Sequence, residues 1–129
     1  MRRSAILFAL LVMVAGCQKV SQEKTVKMEP GDSIAAFIID PPSSEQTVNL
    51  IVSSDGGPVD VYIATVADAD AFQKEFAQDS KIPAGVVTTK SKVEKEETLT
   101  ATIPAKKPYV VILANPTKAT NVKLKLTGK

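Results

Sequence analysis

Short runs of alternating apolar and polar residues, separated by turn sequences, constrain the fold of this chain most strongly. Near the C terminus, Val122, Leu124 and Leu126 alternate with polar residues, and a period of two recurs in most segments from residue 26 onward. Alternate side chains of a strand point to opposite faces, so each run predicts a strand with one buried face. Turn sequences such as Asp55-Gly56-Gly57-Pro58 separate the runs. The pattern predicts an all-β fold, an antiparallel β-sandwich of seven or eight strands.

Two runs depart from strict alternation because they are apolar at nearly every position. Ile34–Ile39 predicts a strand that ends at Asp40-Pro41-Pro42, and Tyr109–Leu113 predicts a central strand. Continuous apolar character indicates burial on both faces of a strand.

One segment follows helical spacing instead. Phe72 and Phe76 lie four residues apart, and Asp68 or Asp70 can cap the start of a helix before them. The spacing predicts one short helix near residues 68–78. We expect the two phenylalanines to cover one end of the core.

The first residues carry a targeting pattern. Arg2 and Arg3 precede an apolar run from Ala5 to Ala15. This run is shorter than the roughly 20 residues that a membrane-spanning helix needs, and it fits the core of a secretory signal. Small residues follow the run, as a signal-peptide cleavage site requires, and we expect residues 1–16 to be removed.

The sequence Val14-Ala15-Gly16-Cys17 resembles the lipobox of bacterial lipoproteins, in which a branched apolar residue and two small residues precede an invariant cysteine. The resemblance implies that a diacylglyceryl group is attached to the sulfur of Cys17 and that cleavage makes this cysteine residue one. A disulfide within the chain is excluded, because Cys17 is the only cysteine. The predicted organisation is a signal peptide over 1–16, a lipidated cysteine and polar tether over 17–24, and a sandwich domain over 25–129.

The residue after the cysteine bears on location. In proteobacterial lipoproteins, aspartate at this position tends to retain the protein in the inner membrane. Here the residue is Gln18, so the resemblance implies an outer-membrane location in a host with two membranes.

The composition of the remaining chain excludes several functions. The only arginines are Arg2 and Arg3, and no histidine is present, so lysines and acidic residues are equal in number from residue 17 onward. Nucleic-acid recognition depends on basic surface and arginine side chains, so we expect no nucleic-acid partner. Histidine is the commonest general base and transition-metal ligand, so triads and ordinary zinc sites are also excluded. We expect no cofactor.

A second resemblance covers the sandwich domain. The stretches PVDVYI and TLTATIPAKKPYVVILANPTKATNVKLKLTG are similar to small jelly-roll sandwiches of the GOLD and bacterial pre-peptidase C-terminal types. The positions that carry the similarity are Asp60, Val61, Tyr62, Ile103, Tyr109 and Asn115. The resemblance implies a jelly-roll binding or accessory module without shared catalytic residues.

Few side chains are candidates for a site. Asp68, Asp70 and Asp79 could bind calcium in a loop, but helix capping accounts for Asp68 and Asp70 without a metal, and the glycine of a calcium loop is missing. We therefore predict no metal site. Lys106-Lys107 could contact anionic lipid or glycan. Tyr62 is expected to point outward from its strand, which makes it the first candidate for ligand contact.

These features favour a lipid-anchored envelope β-sandwich that acts as a non-catalytic binding or accessory module. Its partners would be the membrane, through the lipid on Cys17, and an envelope protein or glycan. A structural envelope lipoprotein is the alternative, and an enzyme that uses a carboxylate pair is a further one.

Overall fold

The computed structural model describes residues 21–128, which form eight strands and one helix. The strands are β1 (Ser21–Met28), β2 (Ser33–Ile39), β3 (Gln46–Ser54), β4 (Val59–Thr65), β5 (Val86–Val93), β6 (Glu97–Ile103), β7 (Tyr109–Ala114) and β8 (Thr120–Gly128). The helix α1 (Ala69–Asp79) lies between β4 and β5.

The strands form two antiparallel sheets of four strands each, with the orders β1-β8-β3-β6 and β2-β7-β4-β5. Apart from β4 and β5, consecutive strands lie in opposite sheets. Eight antiparallel strands divided in this way form a jelly-roll sandwich. The predicted all-β antiparallel sandwich with one short helix is therefore confirmed.

The inward faces of the two sheets share one apolar core. In β8 every second residue is buried, including Val122, Leu124 and Leu126, and in β6 the threonines point outward while Leu99 and its alternate neighbours are buried. For these strands, the alternation in the sequence therefore predicts correctly which side chains point into the core and which point outward.

Strand β7 is buried at all six positions because it is covered on both faces. Its odd-numbered residues lie in the core between the sheets. Val110 and Ile112 point the other way, into a second apolar cluster that contains Phe72 and Phe76 of α1. The prediction of a central strand at this position is confirmed, since β7 lies between β2 and β4.

The predicted position of the helix needs a correction. Phe72 and Phe76 do not cover an end of the core; they pack on the outer face of the sheet β2-β7-β4-β5. This face is apolar in β2 and β7, so it exposes a second hydrophobic surface that another layer must cover. The helix and residues 80–85 supply that layer, to which Ile82 contributes.

Strand β1 begins at Ser21, inside the segment 17–24 that was predicted as a tether. Its first residues pair with the end of β8, Ser21 opposite Thr127. The side chains of residues 21–25 are exposed, so this half of the strand has no apolar alternation in the sequence. Among these residues, Lys24 makes a contact with the other sheet: its Nζ donates a hydrogen bond to the carbonyl of Ala36 in β2 at 3.0 Å.

The strand directions give the sandwich two distinct ends. One end, called the proline end, carries the start of β1 and the loops 40–45 and 104–108, which contain Pro41, Pro42, Pro104 and Pro108. These loops are joined by a hydrogen bond from the backbone N–H of Lys106 to the carbonyl of Pro42. The opposite end, called the glycine end, carries the turns 29–32, 55–58, 94–96 and 115–119.

Buried hydroxyl groups hold two turns of the glycine end together. Ser54 donates to the carbonyl of Gly57, and its oxygen lies 2.7 Å from Oγ1 of Thr120. Thr120 also accepts the backbone N–H of Gly56 at 2.7 Å. Asp55 adds a carboxylate oxygen that accepts the N–H of Asn121 at 3.0 Å. The turn after β3 is thereby fixed to the start of β8.

The fully buried Tyr109 predicts a loss of stability at high pH. Burial raises the pKa of its hydroxyl, which lies 3.5 Å from Oε1 of Gln46. Above pH 10 the unfolded chain can release this proton while the folded protein retains it, so the free energy of unfolding falls as the pH rises. Urea unfolding between pH 8 and about 11 should show a smaller decrease for Tyr109→Phe than for the wild type. Equal slopes would contradict this assignment.

Candidate functional site

A groove runs between helix α1 and the segment 80–85 that follows it. It has a volume of about 510 Å³, and its apolar floor includes Phe72, Phe76 and Ile82. The end of β4 and Gly85 close it towards the proline end. Gly85 sits very near the chain at Thr65, since a Cβ at this position would lie 2.5 Å from the Thr65 carbonyl oxygen. This close approach keeps the segment beside the helix.

The rim of the groove carries more acidic than basic side chains. Asp68, Glu75 and Asp79 line it together with the single lysine Lys81, and all four are exposed. An apolar floor with a few charged groups at its edge is the usual composition of a recognition site. The arrangement favours a ligand that is apolar in part and positively charged in part.

Strand β5 begins directly after Gly85, at the end of the groove, with an exposed apolar stretch. Val86 and Val87 directly follow Gly85 and are 39% and 38% exposed. They are the exposed large hydrophobic residues within the described chain. Strand β5 lies at the edge of its sheet, where a second polypeptide can pair with it.

The predicted cap of the helix is confirmed at Asp68. Its Oδ1 accepts the backbone N–H of Ala71 at 3.0 Å, and Asp70 lies in the first turn, where a negative charge is favourable. At the C-terminal end of the helix, Ser80 adopts a left-handed backbone conformation, and its backbone N–H donates to the carbonyl oxygen of Phe76. Residues 21–128 contain no group of three acidic, histidine or cysteine side chains that could hold a metal, so Asp68, Asp70 and Asp79 do not converge.

Tyr62 points out of the inter-sheet core, as the alternation predicts. It is half-buried, however, because it packs against the second cluster formed by helix α1 and the sheet beneath it. Tyr62 is therefore part of the support for the helix layer and does not stand on an open sheet surface. Ligand contact by Tyr62 stays a prediction.

Two residues that carry the second resemblance, Asp60 and Asn115, meet in the structure. Asp60 accepts the side-chain amide of Asn115 at 2.8 Å and the backbone N–H of Lys92 at 3.0 Å. Lys92 and Asn115 both have positive φ angles, 58° and 56°. Asp60 thus fixes two backbone bends at the glycine end, which is a structural role.

The remaining candidates lie on the surface. Lys106-Lys107 is an exposed turn at the proline end, where Asp40 and Glu45 of the neighbouring loop balance its charge. Lys90 of β5 and Glu97 at the start of β6 form an ion pair at 3.7 Å that is half exposed, and such pairs contribute little to stability.

The predicted lipidation site, Cys17, lies outside the described residues, as do the predicted signal peptide and Gln18. Between Ser21 and Gly128, no helix has the length and apolar character needed to cross a membrane.

No protein-family model and no curated protein sequence matches the chain. Two solved structures are similar in fold. The mitogen from Yersinia pseudotuberculosis is 8% identical with a TM-score of 0.53, over 84% of this chain and 85% of the mitogen. PliG of Aeromonas hydrophila, a periplasmic inhibitor of g-type lysozyme, is 12% identical with a TM-score of 0.52, over 92% of this chain and 93% of PliG. At these identities the likeness concerns the fold.

Residues 21–128 thus define a class: a jelly-roll sandwich with a helix layer and a surface groove. Neither of the two similar proteins is described as an enzyme. The sandwich in the second sequence resemblance is confirmed as a fold, whereas membership of the GOLD or pre-peptidase C-terminal families stays a prediction.

Proposed function

We propose that this protein is a lipid-anchored module of the bacterial envelope that binds another protein through the groove beside α1. The observation that carries the proposal is the groove itself, in which an apolar floor, an acidic rim and the exposed start of an edge strand adjoin. The occupant is an extended polypeptide segment with alternating apolar and basic side chains.

Three features of the groove support this occupant. Its floor is apolar, and the partly buried Val66 and Ile82 offer surface there to apolar side chains above the packed rings of Phe72 and Phe76. Its rim offers carboxylates to lysine or arginine, and opposite charges across an interface favour both association and register. The edge of β5 can add the segment as a further strand, so that backbone hydrogen bonds contribute as well. PliG, of similar fold, is described as a periplasmic inhibitor of g-type lysozyme, which is consistent with a binding role for this type of sandwich.

A synthetic peptide of alternating lysine and valine tests the groove. Glu75→Lys should weaken binding of this peptide by about tenfold, because it removes an attraction and adds a repulsion, together on the order of 1.4 kcal/mol. Fluorescence anisotropy of the labelled peptide measures the dissociation constant.

The matched control is Glu94→Lys, which makes the same charge change in an exposed turn of the glycine end. It should leave the dissociation constant unchanged. A peptide with glutamate in place of lysine should bind far more weakly to the wild type. Equal losses for Glu75→Lys and Glu94→Lys would show that only net charge matters and would refute the groove.

Lipid attachment is tested independently of the groove. Metabolic labelling with a fatty-acid analogue should mark the wild-type protein, since palmitate-type chains are the expected modification of Cys17. Cys17→Ser should lose both the label and membrane fractionation. A Cys17→Ser protein that still fractionates with membranes would overturn the lipid anchor without affecting the peptide result.

The proposed location is the outer membrane. It rests on Gln18, since no aspartate follows the cysteine. In a host with two membranes, density-gradient separation should place the wild type with outer-membrane markers, and Gln18→Asp should move it to the inner-membrane fractions. Wild type in the inner-membrane fractions would contradict this location.

A further inference from the structure

The outer face of the sheet β1-β8-β3-β6 is mostly polar and positively charged. Its lysines are Lys27, Lys123 and Lys125, and Glu23 is the acidic side chain that faces outward with them in the described part of the chain. Most of the remaining surface is threonine, including Thr47, Thr98 and Thr102, and these side chains are exposed. We call this surface the lysine face.

Two lysines of this face, Lys123 and Lys125, lie two residues apart in β8, the strand that pairs with β1. Lys123 lies opposite Thr25, and Lys125 lies opposite Glu23 across the β1–β8 pair. Cross-strand partners share a face of the sheet, so an opposite carboxylate would neutralise a lysine. Neither Lys123 nor Lys27 has a carboxylate as its partner, and their charges therefore remain. The face therefore presents an excess of positive charge over a hydroxyl-rich surface.

The opposite side of the molecule has the reverse charge. There, helix α1 and the groove rim expose four carboxylates and two lysines, an excess of negative charge: Asp68, Asp70, Glu75 and Asp79 against Lys74 and Lys81. The domain is nearly neutral as a whole, so this separation gives it a positive and a negative side. An anionic surface would attract the lysine face and repel the groove side.

The first strand after Cys17 is β1, which belongs to the same sheet as the lysine face. Only residues 18–20 separate Cys17 from the first residue of β1. At about 3.5 Å per residue, the distance from Cys17 to Ser21 is at most roughly 14 Å. A lipid on Cys17 therefore holds this edge of the lysine sheet within a short distance of the bilayer.

From this placement we infer that the lysine face lies against an anionic phospholipid bilayer and that the groove faces away from it. This inference rests on the lipid anchor of the proposed function. The proline end is a poorer contact, because Lys106 and Lys107 are balanced there by Asp40 and Glu45. Lysines near an anionic surface are attracted to it, and salt screens this attraction.

Single introduced cysteines report the orientation, since the native cysteine carries the lipid. We would label Thr98→Cys on the lysine face, Gln73→Cys on α1 and Ser44→Cys at the proline end of the lipidated protein. The protein is reconstituted in vesicles of phosphatidylcholine with phosphatidylglycerol that contain a headgroup-attached quencher. Thr98 is the decisive position, because it lies at the start of β6, next to the glycine end, and approaches the bilayer only if the domain lies on its lysine face.

The expected result is strong quenching at Thr98→Cys and little at Gln73→Cys, with loss of this difference in pure phosphatidylcholine or high salt. Lys123→Glu with Lys125→Glu should abolish the quenching at Thr98→Cys, whereas Lys106→Glu with Lys107→Glu, an equal charge change, should preserve it. Strong quenching confined to Ser44→Cys would overturn the inference in favour of an upright domain. Protein that does not float with the vesicles at all would instead refute the lipid anchor.

Discussion

Replacing Phe76 with alanine is expected to lower the free energy of unfolding by about 3 kcal/mol. The ring is 8% exposed, and its centroid lies 5.3 Å from that of Phe72, with 29° between the ring planes. Removing it leaves a cavity in the cluster that covers Val110 and Ile112 on the outer side of β7. Urea unfolding followed by circular dichroism measures the change.

A neighbouring substitution separates packing from helix propensity. Gln78→Ala changes an exposed position of the same helix and should alter the unfolding free energy by no more than about 0.5 kcal/mol. If Phe76→Ala cost no more than Gln78→Ala, the helix would not be a packed layer of the fold.

Gly56→Ala should destabilise the protein by about 2 kcal/mol through a different mechanism, overpacking against a rigid backbone. A Cβ at this position would lie 2.5 Å from the carbonyl oxygen of Ala119 and 2.9 Å from Cα of Thr120. The turn would have to move away from β8, which would also weaken the hydrogen bond from the Gly56 N–H to Thr120. Thermal unfolding would show a lower midpoint.

Gly57 provides the comparison, because its surroundings differ in kind. An added Cβ there would approach the side chain of Lys118 at 3.0 Å, and this flexible chain can move aside. Gly57→Ala should therefore cost much less than Gly56→Ala. Equal costs would contradict a steric conflict specific to the contact of Gly56 with the backbone of β8.

The sandwich could be predicted from the sequence because its inner face imposes a period of two on the strands. Val122, Leu124 and Leu126 carry that information directly, and Asp68 with the two phenylalanines carries the helix. The continuous apolar run of β7 also indicated burial on both faces. It did not indicate which element covers the outer face, since a helix and a second sheet leave the same pattern on a strand.

The start of β1 and the groove could not be predicted for physical reasons. At Ser21–Thr25 the strand lies at a sheet edge with exposed side chains, so hydrogen bonds to β8 form it and no apolar pattern marks it. The groove depends on how the segment 80–85 returns along α1, and that path is determined by a tertiary contact between Gly85 and Thr65. Neither contact leaves a periodic pattern in the sequence.

The pairing of β1 with β8 determines when this protein can fold. Because Ser21 pairs with Thr127, and β8 also separates β1 from β3, one sheet lacks an inner strand until the residues of β8 have been synthesised. Topologies dominated by such distant pairings fold slowly. Under the proposed export route, the lipid would be joined to Cys17 while the domain is still an unfolded chain. The sandwich would then assemble beside a membrane that already holds its N terminus, which limits the space in which partly formed sheet edges could meet those of other copies.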